Sequence, residues 1–211
     1  MKDIVLQPSF YDTFECIGEK CKHTCCHGWK ITFSKEEFRN IKRKGKSEEF
    51  QKLYQDAFTI QKGAKEPYLI KLDKEGNCKF LTEEGLCAVY AETGPENMSA
   101  VCQNFPRTCV QYLNRYECFL SIGCEEVVRL LLKEKDGILL EVKEKEIPKV
   151  LKSVSGVISS FRAQNRPLFQ YYNDIKMLLL AVLQNREYTF GERMVLLAMA
   201  LQKIDEMEKE H

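Results

Sequence analysis

Along the chain the spacing of apolar positions changes several times, and each change predicts an element. Phe50, Leu53, Tyr54 and Phe58 recur at steps of three and four, so a helix is expected from Ser47 through Phe58. Just upstream, Ser34-Lys-Glu-Glu37 has the form of a capping box, in which the serine oxygen accepts from the amide three residues on and Glu37 reaches back. It predicts a helix over Lys35 to Lys44 that stops at Gly45, and the two helices should form a hairpin. Tyr68 to Leu72 alternates like a strand, Asp73 to Asn77 supplies turn chemistry, and Cys78 to Leu81 is read as the returning strand. Glu83-Glu-Gly85 turns the chain again. A short helix is expected over Asn97 to Asn104, broken before Pro106. Arg107 to Leu120 reads as a hairpin turning at Leu113-Asn114, which sets Cys109 opposite Cys118, and Ile138 to Val142 reads as a single strand. Met1 to Tyr11 carries no periodic signal and is read as an extended lead-in.

Beyond Pro148 the helical period dominates. Helices are expected over Lys149 to Arg162, Pro167 to Gln184 and Phe190 to Glu210, the last opened by the capping box Thr189-Phe-Gly-Glu192 and carrying Met194, Leu197, Leu201 and Ile204 on one face. The expected fold is therefore mainly α with small antiparallel β-hairpins, an α+β class. A cysteine-rich metal-binding part over 1–147 is followed by a helical part over 148–211, and whether the two share one core is left open. With 44% hydrophobic and 30% charged residues among 211, the chain has the composition of a folded protein. A balance of +1 lacks the basic surplus of a phosphate binder, so nucleic acid is not an expected partner. The longest apolar run, Met177 to Leu183, is far short of the ~20 residues of a membrane-spanning helix, and a cytoplasmic location without membrane association is expected.

The cysteines change the picture. All ten lie between Cys16 and Cys124. With no secretory signal and too long a chain for a disulfide-stapled miniature, metal or cluster ligation is preferred over disulfides. The first group, Cys16-x4-Cys21-x3-Cys25-Cys26, and the second, Cys78, Cys87, Cys102 and Cys124, provide eight thiols, enough for two four-sulfur sites, whether zinc or iron–sulfur. Adjacent side chains tend to diverge, so Cys25 and Cys26 are expected to serve different centres, or one of them not to ligate. Cys109 and Cys118 stand apart as small apolar side chains of a half-buried strand. His23 and His27 could replace a thiol, although histidines in surface loops are more often solvated. Trp29 is read as packing over the metal site. Arg107 suits either a bidentate carboxylate contact or a buried salt bridge. Glu125, Glu126 and Tyr90 are read as solvated.

These residues resemble a family. Cys16-x4-Cys21-x3-Cys25-Cys26-x-Gly28-Trp29, Cys78-x-Phe-Leu-x4-Leu-Cys87, Cys102-x-x-Phe-Pro-Arg107 and Cys124-Glu-Glu-x-x-Arg129, in that order, are similar to the flagellin lysine-N-methylases of bacteria. The second and third pieces also resemble a broader set of zinc- or iron-chelating cysteine-cluster domains. The resemblance implies methyl transfer from S-adenosylmethionine to lysines of a protein substrate, flagellin, with an iron–sulfur centre (4Fe-4S) or zinc held by the eight cysteines. It assigns no catalytic base and no residue to S-adenosylmethionine. No glycine-rich strand-to-helix turn of the nucleotide-binding kind is present, so any cofactor site is of another type. The competing reading is a zinc-stabilised protein-interaction domain without catalysis.

Overall fold

A computed structural model of the chain describes residues 2–158 and 167–209. The fold is mixed α+β rather than mainly α, because the chain builds two sheets where small hairpins were expected. The larger has five strands in the order β7-β1-β6-β5-β8: β1 is Asp3–Pro8, β5 Arg107–Tyr112, β6 Arg115–Leu120, β7 Leu140–Lys145 and β8 Gly156–Ile158. The smaller has the order β2-β4-β3, formed by Thr32–Phe33 (β2), Phe58–Ile60 (β3) and Tyr68–Ile70 (β4). The helices are α1 (Lys35–Lys44), α2 (Glu48–Asp56), α3 (Ala88–Thr93), α4 (Ala100–Asn104), α5 (Glu125–Leu131), α6 (Lys149–Val154), α7 (Tyr172–Gln184) and α8 (Phe190–Lys209).

Local signals held where the chemistry is local. Both halves of the Ser34–Glu37 capping box form, and α1 runs over the expected residues. The Thr189–Glu192 box is likewise closed in both directions. The hairpin turns at Leu113, which takes φ +52°, and its register places Cys109 against Cys118. Those two thiols are joined in a disulfide, which corrects the reading of two independent apolar side chains; both are nevertheless buried in the core of the large sheet.

Long-range pairing overrode the rest. The lead-in is strand β1, inserted between β6 and β7 and parallel to β6. Its alternation is disguised because the buried positions are Val5 and Gln7; the glutamine Nε2 donates to Asp12 Oδ2 at 2.8 Å and Glu141 Oε1 at 3.0 Å, while its buried Oε1 has no partner among the described residues. Helix α2 ends at Asp56, so that Phe58 can enter β3 opposite Ile70. Strand β4 pairs with β2 and β3, not with Cys78–Leu81, of which only Cys78 bridges back to Leu72. The helix expected over Asn97–Asn104 splits into a 3-10 turn at Pro95–Asn97 and α4. Helix α6 stops at Val154, and β8 follows beside β5; the remainder of the expected helix, 159–162, lies outside the described residues. Pro167–Tyr171 is 3-10 before α7 begins.

Buried side chains form two clusters. One, around Val5, Cys118, Val127 and Leu151, backs the large sheet. The other, around Phe33, Ile41, Phe50, Phe80 and Val89, joins the small sheet to α1, α2 and α3. Cys78, Cys87 and Cys102 pack at the margin of the second cluster, so the fold of this half positions the thiols.

Candidate metal centre

Four chain segments bring cysteines to the second cluster, and backbone hydrogen bonds set their order. The first loop lies along the turn before Cys78: Cys78 N–H donates to Cys26 O at 2.7 Å and Gly28 N–H to Gly76 O at 2.9 Å. Gly76 is required there, since its φ is +88° and a Cβ would stand 3.0 Å from His27 Cε1. Leu81 bridges to Cys87, and Ala88 N–H donates to Phe80 O, which places Cys87 at the start of α3. Cys102 is held by the cap of α4, where its N–H donates to Ser99 Oγ at 3.2 Å. A second tie comes from α1, whose capping Glu37 spends one oxygen on Ser34 N–H (2.6 Å) and the other on Ala100 N–H (2.8 Å). One carboxylate thus joins the starts of α1 and α4.

The result is a cavity of about 50 Å³ bordered by five of the predicted thiols, Cys25, Cys26, Cys78, Cys87 and Cys102, and walled by Trp29, Phe33, Phe80 and Phe105. Cys25 and Cys26 do not diverge. Both face this cavity, and the interaction between the two neighbouring thiols eases ionisation of Cys26 and opposes that of Cys25. Burial pushes the thiols of Cys78 and Cys102 up to about 12 and raises that of Cys87. These three thiols are therefore favoured in the neutral form, and a cation entering the pocket would displace their protons. Trp29 lies over the site as expected; its indole N–H donates to Cys25 O at 2.5 Å, and its ring stands 5.4 Å from Phe105.

The other three predicted thiols are elsewhere. Cys21 lies near Cys16, Cys124 and Glu125; burial, with those charges, raises its pKa. Glu125 is not simply solvated. It accepts from the N–H groups of Lys22 (2.8 Å) and His23 (3.1 Å), clamping the first cysteine loop. Glu126 is buried and paired with Arg129, another departure from the solvated reading, whereas Tyr90 is exposed. His23 is exposed, and His27 contacts Asn77 Oδ1 through Nδ1 at 3.2 Å. Arg107 meets no carboxylate among the described residues: it donates to Phe14 O at 2.9 Å and stacks over the Phe14 ring. The reach of Glu37 to Ala100 and the packing of Phe80 on Phe50 and Phe58 were missed by sequence reasoning, since a capping box does not announce a contact 63 residues away, nor a lone phenylalanine its aromatic partners.

The donor set fits a thiophilic ion in kind and number. Among the described residues, however, no three His, Cys, Asp or Glu side chains stand close enough together to hold a metal, so binding requires the cavity thiols to rotate inward.

A family model described as "Putative zinc- or iron-chelating domain", named CxxCxxCC, matches residues 15–126, which include all eight predicted cysteines. A flagellar biosynthetic protein FliU of Salmonella muenchen is 34% identical over 147 residues, 68% of this chain and 86% of the relative. The chain belongs to the lysine-N-methylase cysteine-cluster family. Lysine-N-methylases of Salmonella typhimurium and Salmonella choleraesuis are also 34% identical, over 146 residues. The chain spans 36% of the length of those two methylases. In this family member the four-cysteine signature has wider spacers than the model's name, x4 and x3 before the Cys25-Cys26 pair. No solved structure matches the chain. Among the described residues no helix is long and apolar enough to cross a membrane.

Proposed function

We propose that the chain is the metal-holding part of a protein lysine N-methylase. In this reading Cys26, Cys78, Cys87 and Cys102 hold an iron–sulfur cluster with Cys25 beside them, and Cys16, Cys21 and Cys124 contribute to a second, more exposed centre. The methyl donor is S-adenosylmethionine, and the acceptor is the ε-amine of lysines on flagellin. The observation that carries the reading is the convergence of five thiols from four segments on one apolar cavity, in a chain whose relatives are named lysine-N-methylase.

When bound, a cluster supplies thiolate-ligated iron able to exchange electrons. The residues of the chain do the rest. Trp29, Phe80 and Phe105 wall the thiol cavity, Cys26 is the thiol of the neighbouring pair that ionises more readily, and the Ser99 cap orients Cys102. The acceptor lysine must arrive neutral, against an ordinary pKa of about 10.4, so the nucleophile requires an apolar surrounding or a base.

One observation favours a second reading. Cys78, Cys87 and Cys102 abut the aromatic core and Cys26 borders the same cavity, so a tetrahedral zinc there would cross-link four segments and stabilise the fold without catalysis. Metal and sulfide analysis of anaerobically purified protein separates the two. Iron with stoichiometric sulfide and broad visible absorbance is expected, followed by methyl transfer to flagellin from labelled S-adenosylmethionine. Zinc without sulfide would sink the cluster reading and leave the structural one.

A further inference from the structure

A second pocket borders the same aromatic cluster and shares no lining residue with the thiol cavity. It has a volume of about 300 Å³ and is bordered by α1, α2 and the small sheet through Phe38, Lys42, Tyr54, Gln55, Phe58 and Ile60. Its floor is rigid: Phe38 stacks on Tyr68 at 3.7 Å and meets Phe58 edge-on at 5.1 Å. The Tyr54 hydroxyl is already engaged, donating to Phe38 O. Lys42 has no carboxylate within 4 Å among the described residues, and the Gln55 amide has no hydrogen-bond partner among them.

The rim of this pocket is an open sheet edge. Strand β3 is the outer member of its sheet. Its bonds to β4 run through Ala57–Lys71 and Gln61–Pro67, with Thr59 opposite Leu69. By the antiparallel alternation, the N–H and C=O of Phe58 and Ile60 therefore point away from β4. Ile60 is 65% exposed, and its backbone groups meet no partner among the described residues. Native proteins usually cover or charge such an edge, whereas here an apolar side chain stands on it beside a pocket.

The geometry points to a docking site for an extended protein segment that adds to β3 as a fourth strand. We infer that the segment places an aromatic or long apolar side chain in the 300 Å³ pocket and, two residues along on the same face, a carboxylate against Lys42. This rests on the reading of the chain as acting on a protein substrate, for which it supplies the recognition surface. Lys42, the one ammonium lining the pocket and without a carboxylate partner among the described residues, selects an acidic segment, and the free edge selects an extended backbone over a compact small molecule.

The test uses the full chain and the peptide acetyl-Val-Thr-Phe-Thr-Glu-Thr-Val-amide, labelled for fluorescence polarisation. Saturable binding tighter than ~1 mM is expected. Ile60→Pro removes the outward N–H and should weaken binding at least tenfold; an outward-facing edge position tolerates proline, and an unchanged melting curve confirms that the fold persists. Lys42→Glu should weaken binding similarly, and a peptide with Lys in place of Glu should recover it. Absence of binding by the native chain would overturn the inference. So would binding indifferent to Ile60→Pro, or equal affinity for free 3-phenylpropionate, which would make the pocket a small-molecule site. Because no metal or S-adenosylmethionine enters this assay, failure here is separate from failure of methyl transfer.

Discussion

The Glu37 carboxylate offers a direct measure of how the α1 cap supports the thiol cavity. Its two oxygens accept from Ser34 N–H and Ala100 N–H, and the second bond anchors the helix that carries Cys102. Charge-assisted hydrogen bonds contribute roughly 1.5–3 kcal/mol each, and partial exposure places these near the lower end. Glu37→Ala should therefore cost about 3 kcal/mol, which at ~2–4 °C per kcal/mol for a chain of this size lowers Tm by about 6–12 °C. Ser34→Ala, which removes only the reciprocal half of the cap, should cost about 1 kcal/mol. The bridge can be isolated at its other end. Ala100 is the first residue of α4 and follows a Ser99 with ψ 151°, so proline fits there and deletes the donor alone. Urea unfolding of the metal-free protein, followed by far-UV circular dichroism, would yield the cycle of Glu37→Ala, Ala100→Pro and the double variant. A coupling of about 1.5 kcal/mol is expected, together with faster loss of zinc to a chelator in both single variants than in Ser34→Ala. Additive variants, or Glu37→Ala no worse than Ser34→Ala, would refute the tie between α1 and the Cys102 helix.

Other outcomes follow from the same contacts. Cys78→Ser and Cys87→Ser should each reduce bound metal at the enclosed centre by more than half, whereas Cys124→Ser, remote from the cavity, should leave that centre loaded; elemental analysis of the three variants decides. Trp29 is the sole tryptophan and walls the cavity, so its emission should change on adding zinc to apo-protein, and Cys78→Ser should abolish the change. Phe80→Ala empties a position 1% exposed between Phe50 and Phe58 and should cost about 3–5 kcal/mol, against less for Phe80→Leu, in the same urea assay. For Asp12, burial alone would raise the pKa, but hydrogen bonds from Lys145, Gln7 and Lys143 outweigh it and hold the group at about 2, below the ordinary 3.8. A depressed carboxylate stabilises the fold fully above its unfolded pKa and loses that contribution as pH falls through the folded one. The urea midpoint should thus fall between about pH 4 and pH 2, and Asp12→Asn should flatten that slope; an unchanged slope would remove Asp12 from the acid response.

What the sequence by itself determined was local chemistry. The two capping boxes, the hairpin that sets Cys109 opposite Cys118 and the turn at Asp73–Asn77 all depend on residues within a few positions of one another, and each formed as the spacing demanded. The ordered cysteine pieces also carried the family, because their spacing survives without reference to the fold. Tertiary structure decided which thiols meet. By sequence the eight divide into Cys16, Cys21, Cys25 and Cys26 against Cys78, Cys87, Cys102 and Cys124, but the cavity takes Cys25 and Cys26 from the first group and three from the second. That regrouping is set by the Cys26–Cys78 backbone bond and by Glu37 reaching Ala100, neither of which leaves a periodic trace. The same holds for β1 and β8, whose short runs become strands only because neighbours distant in the chain offer unpaired backbone groups, and for α2, which ends early because Phe58 is worth more in the sheet and its aromatic core than on a solvated helix face.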